Sequence, residues 1–411
     1  MSKEFHTIIC YHPLQPDTIC ALVLLKKFGE KKYPGVSEAK AEFMTELPRG
    51  KNVEIFEQKG VLCLDLGGGR FDHHKQARVL ERFSASDLVA RDLGIQTDPS
   101  LEKILTYARR DDLEGKGTIS KDTIDRAFGL SALIANLNRH YLGHPEKVLE
   151  TVAPLLLAHL KEEQKRAFEY PEEYRKKWDE GKIDAFVVEQ VGRQIRCILI
   201  ESDVVGMVGF LRAHPEIKAD VVAQRLGSGH INIITRQERH LDLREVAAVI
   251  RVEELKAKKF PFDRVNWKGL YNKGKMKEIP EWYYDTAANT IQNGGMLSEI
   301  TRPTQLTLQD IKRALKIGLD YNFLDPRCPQ THCLFKKCRF YFYNLIRCRK
   351  IRQGQGAPLR PEVEATPTAA GKPVWSEKIE KPKKETKEKT KEREKKTTTK
   401  KAAKKKAAKK K

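Results

Sequence analysis

The segment LDLGGGRFDHHKQ concentrates side chains that can bind metal. Asp65 ends a continuously apolar run, and Asp72, His73 and His74 follow within nine residues. Because an extended chain sends successive side chains to opposite faces, one histidine can bind a metal while the other faces a substrate. Carboxylates and imidazoles together suit Mn²⁺ and similar divalent cations. The pattern predicts a metal centre, and the alternative is a solvated glycine-rich turn with His74 merely exposed.

Further candidate ligands precede and follow this segment. The loop YHPLQPD supplies His12 and Asp17, and the helical segment LEKILTYARRDD ends on Asp111 and Asp112, either of which could point into a cleft. A helix C terminus is unfavourable for two acids because the helix dipole is negative there, so a cation would compensate them. Structural roles remain open for each candidate. Asp17 could be a helix N-cap, His12 a loop histidine and the acid pair a solvated helix end.

The motif FDHH after an LDLGGG strand end resembles the signature of the DHH phosphoesterase superfamily. That superfamily has a loop with His and Asp after its first strand, a lone Asp ending a later strand, and another Asp after DHH. This chain has residues of those types in that order. The motif is most similar in style to the branch of metal-dependent hydrolases that includes the melanocyte-proliferating-gene exonuclease family. The resemblance covers roughly residues 7 to 140.

The resemblance implies a role for each candidate at a centre that holds one or two Mn²⁺ or Mg²⁺ ions. Two such ions about 3.5 to 4 Å apart can clamp a phosphoryl group during displacement. Asp65 would bridge them and His74 would contact the phosphate. Asp72 would orient one of the ligands without binding the metal itself. The remaining ligands would be His12, Asp17, His73 and Asp111 or Asp112.

The first loop departs from the family pattern at one position. The family carries two acidic ligands separated by one residue after the loop histidine, whereas this chain reads Gln15, Pro16 and Asp17. A neutral amide is a weaker ligand than a carboxylate. The number of bound metals therefore stays open.

Alternating strand and helix patterns predict the elements that position these residues. HTIICY and VLCLDL are strand-like and TICALVLLKKF is typical of a buried helix, with further helical patterns at 99–112, 122–142 and 146–178. We expect an α/β fold with an open, mostly parallel, DHH-like sheet, followed by a second, smaller α/β domain. The predicted organisation is a DHH-like metal-binding domain at 1–145, a connecting helix at 146–182, a substrate-side α/β domain at 183–270, a helical and cysteine-containing module at 271–352, and a disordered linker with a Lys-rich tail at 353–411.

A glycine-rich segment, RLGSGH, joins two strand-like runs in the second predicted domain. It is distantly similar to the substrate loop found in the second domain of many DHH proteins. In that role Arg225, Gly229 and His230 would contact a phosphate or carboxylate of the substrate. A tight hairpin turn is the alternative.

Half of the eight cysteines lie within 21 residues, as Cys328, Cys333, Cys338 and Cys348. Four thiolates can hold a structural Zn²⁺. The spacing lacks C-x-x-C pairs, so free thiols are the alternative. Basic and aromatic residues alternate in the same segment, where aromatic side chains could stack on bases or pack in a core along a strand.

Charge and composition restrict the class of protein. The 411 residues carry 78 Lys and Arg against 56 Asp and Glu, and residues 372–411 alone hold 19 against six. This tail has too few apolar residues to order itself, and it is expected either to attract polyanions or only to solubilise the chain. We found neither a secretory signal nor a run of transmembrane length, so we expect reduced cysteines, no membrane partner and a cytoplasmic location, with a nuclear or nucleoid location also open.

The sequence favours a metal-dependent phosphoesterase, or nuclease, that hydrolyses phosphodiester bonds in RNA, DNA or short nucleotides. The alternative is a catalytically impaired DHH-like protein that binds nucleic acid, which Gln15 and Pro16 favour. Neither interpretation predicts the oligomeric state or the choice between exo and endo cleavage.

Overall fold

The computed structural model describes residues 4–74, 82–190, 192–294, 301–321 and 323–353. Contacts divide the chain into two compact units, Met1–Tyr174 and Arg175–Lys411. The predicted linker and Lys-rich tail, except for residue 353, lie outside the described residues. Among the helices that are described, none combines the length and the apolar composition needed to cross a membrane.

The first unit alternates strands and helices, as the sequence predicts. A π-helical turn at Lys165–Glu169 joins its last two helices, and the final helix continues across the boundary between the units. The elements are β1 (Thr7–Tyr11), α1 (Pro16–Phe28), β2 (Lys40–Met44), α2 (Val53–Gln58), β3 (Val61–Leu64), α3 (Ala85–Leu93), α4 (Glu102–Glu114), α5 (Thr123–Ala127), α6 (Leu130–His140), α7 (Pro145–Gln164) and α8 (Tyr170–Asp179).

In the described residues the three strands of this unit form a parallel sheet in the order β2-β1-β3. Ile8 and Cys10 of β1 face the larger core around α1, whereas Ile9 faces a smaller core with Cys63 and Val53. Both faces of the sheet are therefore covered at β1 and β3, which explains why these two strands are almost continuously apolar. The register pairs Cys10 with Leu64, so β1 and β3 leave the sheet at the same edge.

Helix α1 is the centre of the larger core. All residues from Asp17 to Leu25 are buried, and the helix contacts α3, α4 and α7. A helix that is apolar on every side must be covered on every side. The buried helix predicted for this segment is thus confirmed, and its first turn lies at the sheet edge where β1 ends.

The second unit contains a mixed seven-stranded sheet, counted over the described residues, in the order β4-β5-β6-β7-β10-β9-β8. Only β5 and β6 pair in parallel, and the other described pairs are antiparallel. The elements are β4 (Ile183–Gln190), β5 (Arg193–Glu201), α9 (Met207–Ala213), β6 (Val221–Arg225), β7 (Ile231–Thr235), α10 (Arg244–Ala257), β8 (Gly274–Met276), β9 (Ile279–Asp285), β10 (Thr290–Gln292), α11 (Leu308–Leu319) and α12 (Ile346–Arg352).

The mixed α/β class predicted from the sequence is confirmed, with one parallel sheet and one mixed sheet. Strands β6 and β7 fall on the two strand-like runs that flank the glycine-rich segment. Strands β8 to β10 were not predicted, and they lie in the segment 271–352, for which helices and cysteines were expected. Two of these strands are only three residues long, too short for a periodic pattern.

Helices α10 and α11 pack at unusually close range. Gly318 of α11 has no side chain, and a Cβ atom at this position would lie 2.5 Å from the backbone nitrogen of Val246 in α10. The start of α11 is fixed by a capping box in which Thr307 and Asp310 exchange side-chain-to-backbone hydrogen bonds.

We expect Gly318→Ala to lower the free energy of unfolding by about 1–3 kcal/mol, since the added methyl group must push the two helices apart. Helix propensity alone would give the opposite sign, because Ala is favoured over Gly in a helix. The matched control is Gly269→Ala, where the nearest atom would be 3.4 Å from the new Cβ. Urea unfolding of both variants measures the difference, and an equal effect at the two positions would contradict this account of the helix contact.

Candidate metal centre

The loop after β3 folds back sharply and presents Asp65. Asp65 has a φ of 56°, Gly67 a φ of 80° and Gly68 a φ of 72°, and the Asp65 N–H donates to the Phe71 carbonyl at 3.0 Å. These left-handed conformations favour glycine. At Gly67 there is also no room for a side chain, since a Cβ atom would lie 2.4 Å from Leu47 Cδ1. The GGG run is therefore what returns the chain to the sheet edge at the DHH motif.

Asp72 holds this loop in shape. Its Oδ2 accepts the Gly68 N–H at 2.6 Å, and its Oδ1 accepts the His74 N–H at 2.9 Å. The side chain is buried and both oxygens are occupied by the loop itself. Asp72 is therefore arranged to position its neighbours rather than to bind a metal directly.

The two histidines of the motif have different environments. His73 is buried, with its Nε2 3.7 Å from Asp65 Oδ1 and 3.2 Å from Asp112 Oδ2. The His74 side chain is 54% exposed, and its Nδ1 lies 3.4 Å from Asp65 Oδ1 and 3.2 Å from Asp72 Oδ1. This is the division of roles that the sequence suggested, with one imidazole inside the cluster and one open to solvent.

Asp65 is buried with one oxygen paired and one unpaired. Its Oδ2 accepts a hydrogen bond from the Thr18 hydroxyl at 2.8 Å, while its Oδ1 has no hydrogen-bond partner among the described residues. Burial raises the pKa of Asp65, and the Thr18 hydrogen bond and the neighbouring histidines oppose that shift.

Of the acid pair at the end of α4, Asp112 faces the cluster. Burial is the main cause that raises the pKa of Asp112, and the charge of Asp65 adds to it while His73 opposes it. Asp111 instead approaches Gly117, where a Cβ atom would lie 2.3 Å from Asp111 Oδ1. Asp111 belongs to neither of the groups of converging ligand atoms found in the described residues. The structure thus brings Asp112, and not Asp111, to the other candidates.

Asp17 is fully buried in the first turn of α1, but it does not cap that helix, whose N-cap is Gln15. Its two carboxylate oxygens accept the N–H groups of Ala85 at 2.8 Å and Ser86 at 3.0 Å, the first two residues of α3. Burial, with the charges of Asp65 and Asp112, raises the pKa of Asp17 to about 7. Asp17 therefore anchors a second helix while it borders the cluster.

Four buried ligand-type atoms of the predicted site residues lack a hydrogen-bond partner among the described residues. They are His12 Nδ1, Asp65 Oδ1, His73 Nε2 and Asp112 Oδ2. His12, like Asp111, belongs to neither group of converging ligand atoms. Ligand atoms of Asp65, His73 and His74 lie within 4.8 Å of one another, as do those of Asp17, His73 and Asp112. Leaving buried acceptors unpaired is costly, and a divalent cation would compensate them. The donor set therefore fits a metal ion, and His73 is shared by the two groups.

Two contributors to this site were not identified from the sequence. Thr18, next to Asp17, donates to Asp65, and the N terminus of α3 binds Asp17. The second contributor had a readable signal, because Ser84 and Asp87 form a capping box that marks the start of a helix. The placement of the start of α3 against Asp17 depends on a contact between residues 68 positions apart in the chain, and no local pattern predicts such a contact.

The GSGH segment of the second unit forms the turn between the antiparallel strands β6 and β7. The Gly227 N–H donates to Asp203 Oδ1 at 2.7 Å, and both ring nitrogens of the buried His230 are bonded, to Ser228 Oγ and to the Thr301 carbonyl. Arg225 and Gly229 line an open polar pocket with Lys177. These contacts fit the hairpin alternative, and a substrate role for Arg225, Gly229 and His230 stays a prediction.

The aromatic residues near the cysteines do not form a strand. Tyr341–Tyr343 is a short 3-10 turn, and Phe340 and Tyr343 are buried in the core of the second unit. Of the four aromatic residues, only Tyr341 and Phe342 are partly exposed, so core packing accounts for the other two.

No protein-family model matches the chain, and no curated protein matches its sequence. Among solved structures, an uncharacterized protein from Helicobacter pylori G27 is 12% identical, with a TM-score of 0.21, over 77% of this chain and 99% of that one. The DHH domain of a member of the s1p family of ribosomal proteins is 13% identical, also with a TM-score of 0.21, over 77% of this chain and 87% of its own. TM-scores of this size do not show a shared fold, and neither neighbour places the chain in a family.

The different environments of two buried aspartates predict different responses to the same substitution. In Asp17→Asn, the new amide nitrogen must face one of the two N–H donors of α3, so one hydrogen bond is lost and two donors oppose each other. In Asp65→Asn, the amide oxygen can keep the hydrogen bond from Thr18, and the nitrogen can take the place of Oδ1. With metal removed by a chelator, we expect Asp17→Asn to unfold more easily than Asp65→Asn by about 1–3 kcal/mol. Chemical unfolding of both variants measures this difference. Equal stabilities would show that Asp17 does not anchor α3.

Proposed function

We propose that this chain is a metal-dependent phosphoesterase of the DHH type, acting on phosphodiester bonds in RNA, DNA or short nucleotides. The observation that carries the proposal is the convergence of Asp65 Oδ1, His73 Nε2 and Asp112 Oδ2, three buried ligand-type atoms without a hydrogen-bond partner among the described residues. Their residues lie at the end of β3, in the loop that follows it and on α4, and open α/β sheets bind their ligands outside the carboxyl ends of their strands. The FDHH motif and the order of the acidic residues support the same assignment.

The metal-binding groups in this proposal are Asp65, His73 and Asp112, with His12 and Asp17 beside them. A bound divalent cation such as Mn²⁺ or Mg²⁺ supplies Lewis acidity and lowers the pKa of a water molecule. The carboxylates that burial destabilises would be stabilised by the positive charge. The shared position of His73 suits one ion or two neighbouring ions.

His74 is the residue proposed to meet the substrate. Its Nδ1 faces Asp65 and Asp72, which leaves Nε2 as the ring nitrogen that can contact a phosphate oxygen. Asp72 fixes the backbone of His74 and keeps the imidazole beside the cluster. In this arrangement the buried His73 binds the metal and the exposed His74 binds the phosphate.

A second function is favoured by the first loop. Gln15 stands where the resemblance has an acid, and both oxygens of Asp17 already accept N–H groups of α3. The loop thus offers fewer free carboxylate oxygens than a two-metal centre needs. A catalytically impaired protein that keeps a metal and binds nucleic acid is therefore the alternative.

The test is Mn²⁺-dependent release of nucleotides from short single-stranded RNA and DNA, with Asp65→Asn beside the wild type. We expect the substitution to reduce turnover by more than about 100-fold. Loss of a residue that only orients a metal ligand typically costs about 10- to 100-fold, and Asp65 is proposed to bind the metal itself. The matched control is Glu150→Gln on the exposed side of α7, which makes the same change of charge in the same unit and should leave turnover unchanged.

The outcomes separate the two functions. Turnover that survives Asp65→Asn would remove the proposed centre. If the wild type binds the strands but releases no nucleotide with Mn²⁺ or Mg²⁺, the impaired nucleic-acid-binding alternative replaces the enzyme. Calorimetric Mn²⁺ binding by the same proteins then shows whether the centre still holds a metal.

The Lys-rich tail gives a separate prediction for nucleic-acid binding. Deleting residues 372–411 removes 19 Lys and Arg, so affinity for a polyanion should fall and its dependence on salt should become shallower. A full-length variant with these basic residues replaced by Gln controls for the length of the tail and should behave like the deletion. Fluorescence anisotropy with labelled single strands at several salt concentrations measures both quantities. An unchanged salt slope would show that the tail does not contact the strand.

A further inference from the structure

The segment between α11 and α12 has little regular structure for its length. Its described residues, 320–321 and 323–345, contain only two short 3-10 turns, at Phe335–Lys337 and Tyr341–Tyr343. Long irregular segments inside a compact unit need something other than a hydrogen-bonded ladder to order them. Four cysteines are distributed along this segment and the start of α12.

A buried carboxylate joins two of the four cysteine positions. Asp325 accepts the N–H of Arg327 at 3.0 Å and the N–H of Arg339 at 3.2 Å, and the Arg327 guanidinium also bonds the Asp325 carboxylate. Arg327 precedes Cys328 and Arg339 follows Cys338, so Asp325 links the backbone beside one cysteine to the backbone beside the other. This link does not involve the sulfur atoms, which stay available to a metal.

Two of the sulfurs already accept backbone hydrogen bonds. The Phe335 N–H donates to Cys333 Sγ at 3.4 Å, and the Phe340 N–H donates to Cys338 Sγ at 3.4 Å. In both cases the donor lies two residues after the cysteine, and Phe335 has a φ of 50°, which is rare for a residue with a bulky side chain. N–H groups directed at sulfur stabilise a thiolate more than a thiol, because they favour the charged form.

A buried ion pair holds the helix that carries the fourth cysteine. Arg347 binds Glu245 of α10 and donates to the carbonyls of Ile317 and Phe323, which fixes the start of α12 against α10 and α11. Cys348 follows Arg347, and both Cys338 and Cys348 pack against the core of the second unit. Burial raises the pKa of Cys348 to about 12, and Cys338 adds to the shift while Arg347 opposes it.

The other four cysteines of the chain are different. Cys10, Cys20, Cys63 and Cys197 are buried, whereas Cys328, Cys333, Cys338 and Cys348 are each partly exposed. Their partial exposure leaves these four sulfurs within reach of a metal ion from solvent, which the four buried thiols are not.

We propose that Cys328, Cys333, Cys338 and Cys348 bind one structural Zn²⁺, which orders the segment between α11 and α12. Four thiolates are a complete ligand set for tetrahedral zinc, with Zn–S bonds of about 2.3 Å. In the described residues no three of these sulfurs lie within 4.8 Å of one another, so binding draws them together. The irregular turns that carry three of them can make this change, and coupling of metal binding to local folding is usual for such sites.

The first test is the zinc content of the full chain, purified under reducing conditions and dialysed against EDTA. The wild type should retain about one zinc per chain, and Cys338→Ser should retain less than about a tenth of that. The matched control is Cys197→Ser, a buried thiol of the same unit. Asp65→Asn should keep its zinc, since it alters only the Asp/His centre. Equal zinc content in Cys338→Ser and the wild type, or zinc lost only in Asp65→Asn, would overturn the proposal.

The second test needs no variant and therefore does not depend on whether Cys338→Ser folds. In the zinc-loaded wild type, the four partly exposed thiols should react with a thiol reagent more than about tenfold more slowly than after zinc is chelated, because the thiolate held by a metal is shielded. The four buried thiols should stay slow in both states. Equal rates with and without zinc, failure of the reduced chain to take up zinc, or a disulfide among these cysteines in the purified chain would each contradict the site.

Discussion

The cost of burying carboxylates governs the first unit. Asp17, Asp65 and Asp112 are removed from water at one edge of a parallel sheet, and burial is the main cause that raises the pKa of each. A buried anion is tolerated only where donors or cations surround it. The unit supplies donors to one side of the cluster, through Thr18 and the N terminus of α3, and leaves Asp65 Oδ1 and Asp112 Oδ2 without a hydrogen-bond partner among the described residues. That incomplete compensation is what makes this cluster a candidate metal site.

The second unit shows what complete compensation looks like. Glu254 of α10 is fully buried, and it accepts hydrogen bonds from Trp282 Nε1 at 2.9 Å, from the Gln305 N–H at 3.1 Å and from the Thr304 hydroxyl. Arg251, one turn earlier, is nearly as buried and donates to backbone carbonyls of the chain that leads into β8. These charged groups hold irregular segments against α10. Buried charged side chains therefore serve packing in the second unit. In the first unit, buried carboxylates keep oxygens that have no hydrogen-bond partner among the described residues.

Much of the first unit could be predicted because β1, β3 and the central helix are apolar along most of their length. Strand β2 was missed, since KAEFM is short and mostly half-exposed at the sheet edge. The types of the site residues were readable from the sequence, but their roles depend on tertiary contacts. Choosing between Asp111 and Asp112 requires the rotation of α4 against the sheet, and the task of Asp17 depends on a helix that begins 68 residues later. Strands β8 to β10 could not be predicted, because the pairing of β10 with β7 and of these three strands with one another, rather than local pattern, defines them.

The double role of Asp17 has a consequence for relatives of this chain that are identified later. Under the proposed function, a lineage that loses catalysis would still be selected to keep an acid at this position, because the start of α3 is bound by it. Asp65 is under no comparable restraint on its Oδ1 side, since that oxygen has no hydrogen-bond partner among the described residues. Once a metal was no longer needed, Asp65 could be replaced by a neutral residue of the same shape, such as Asn, that keeps the Thr18 hydrogen bond. Sequence divergence at Asp65, rather than at Asp17, would therefore separate active descendants from inactive ones.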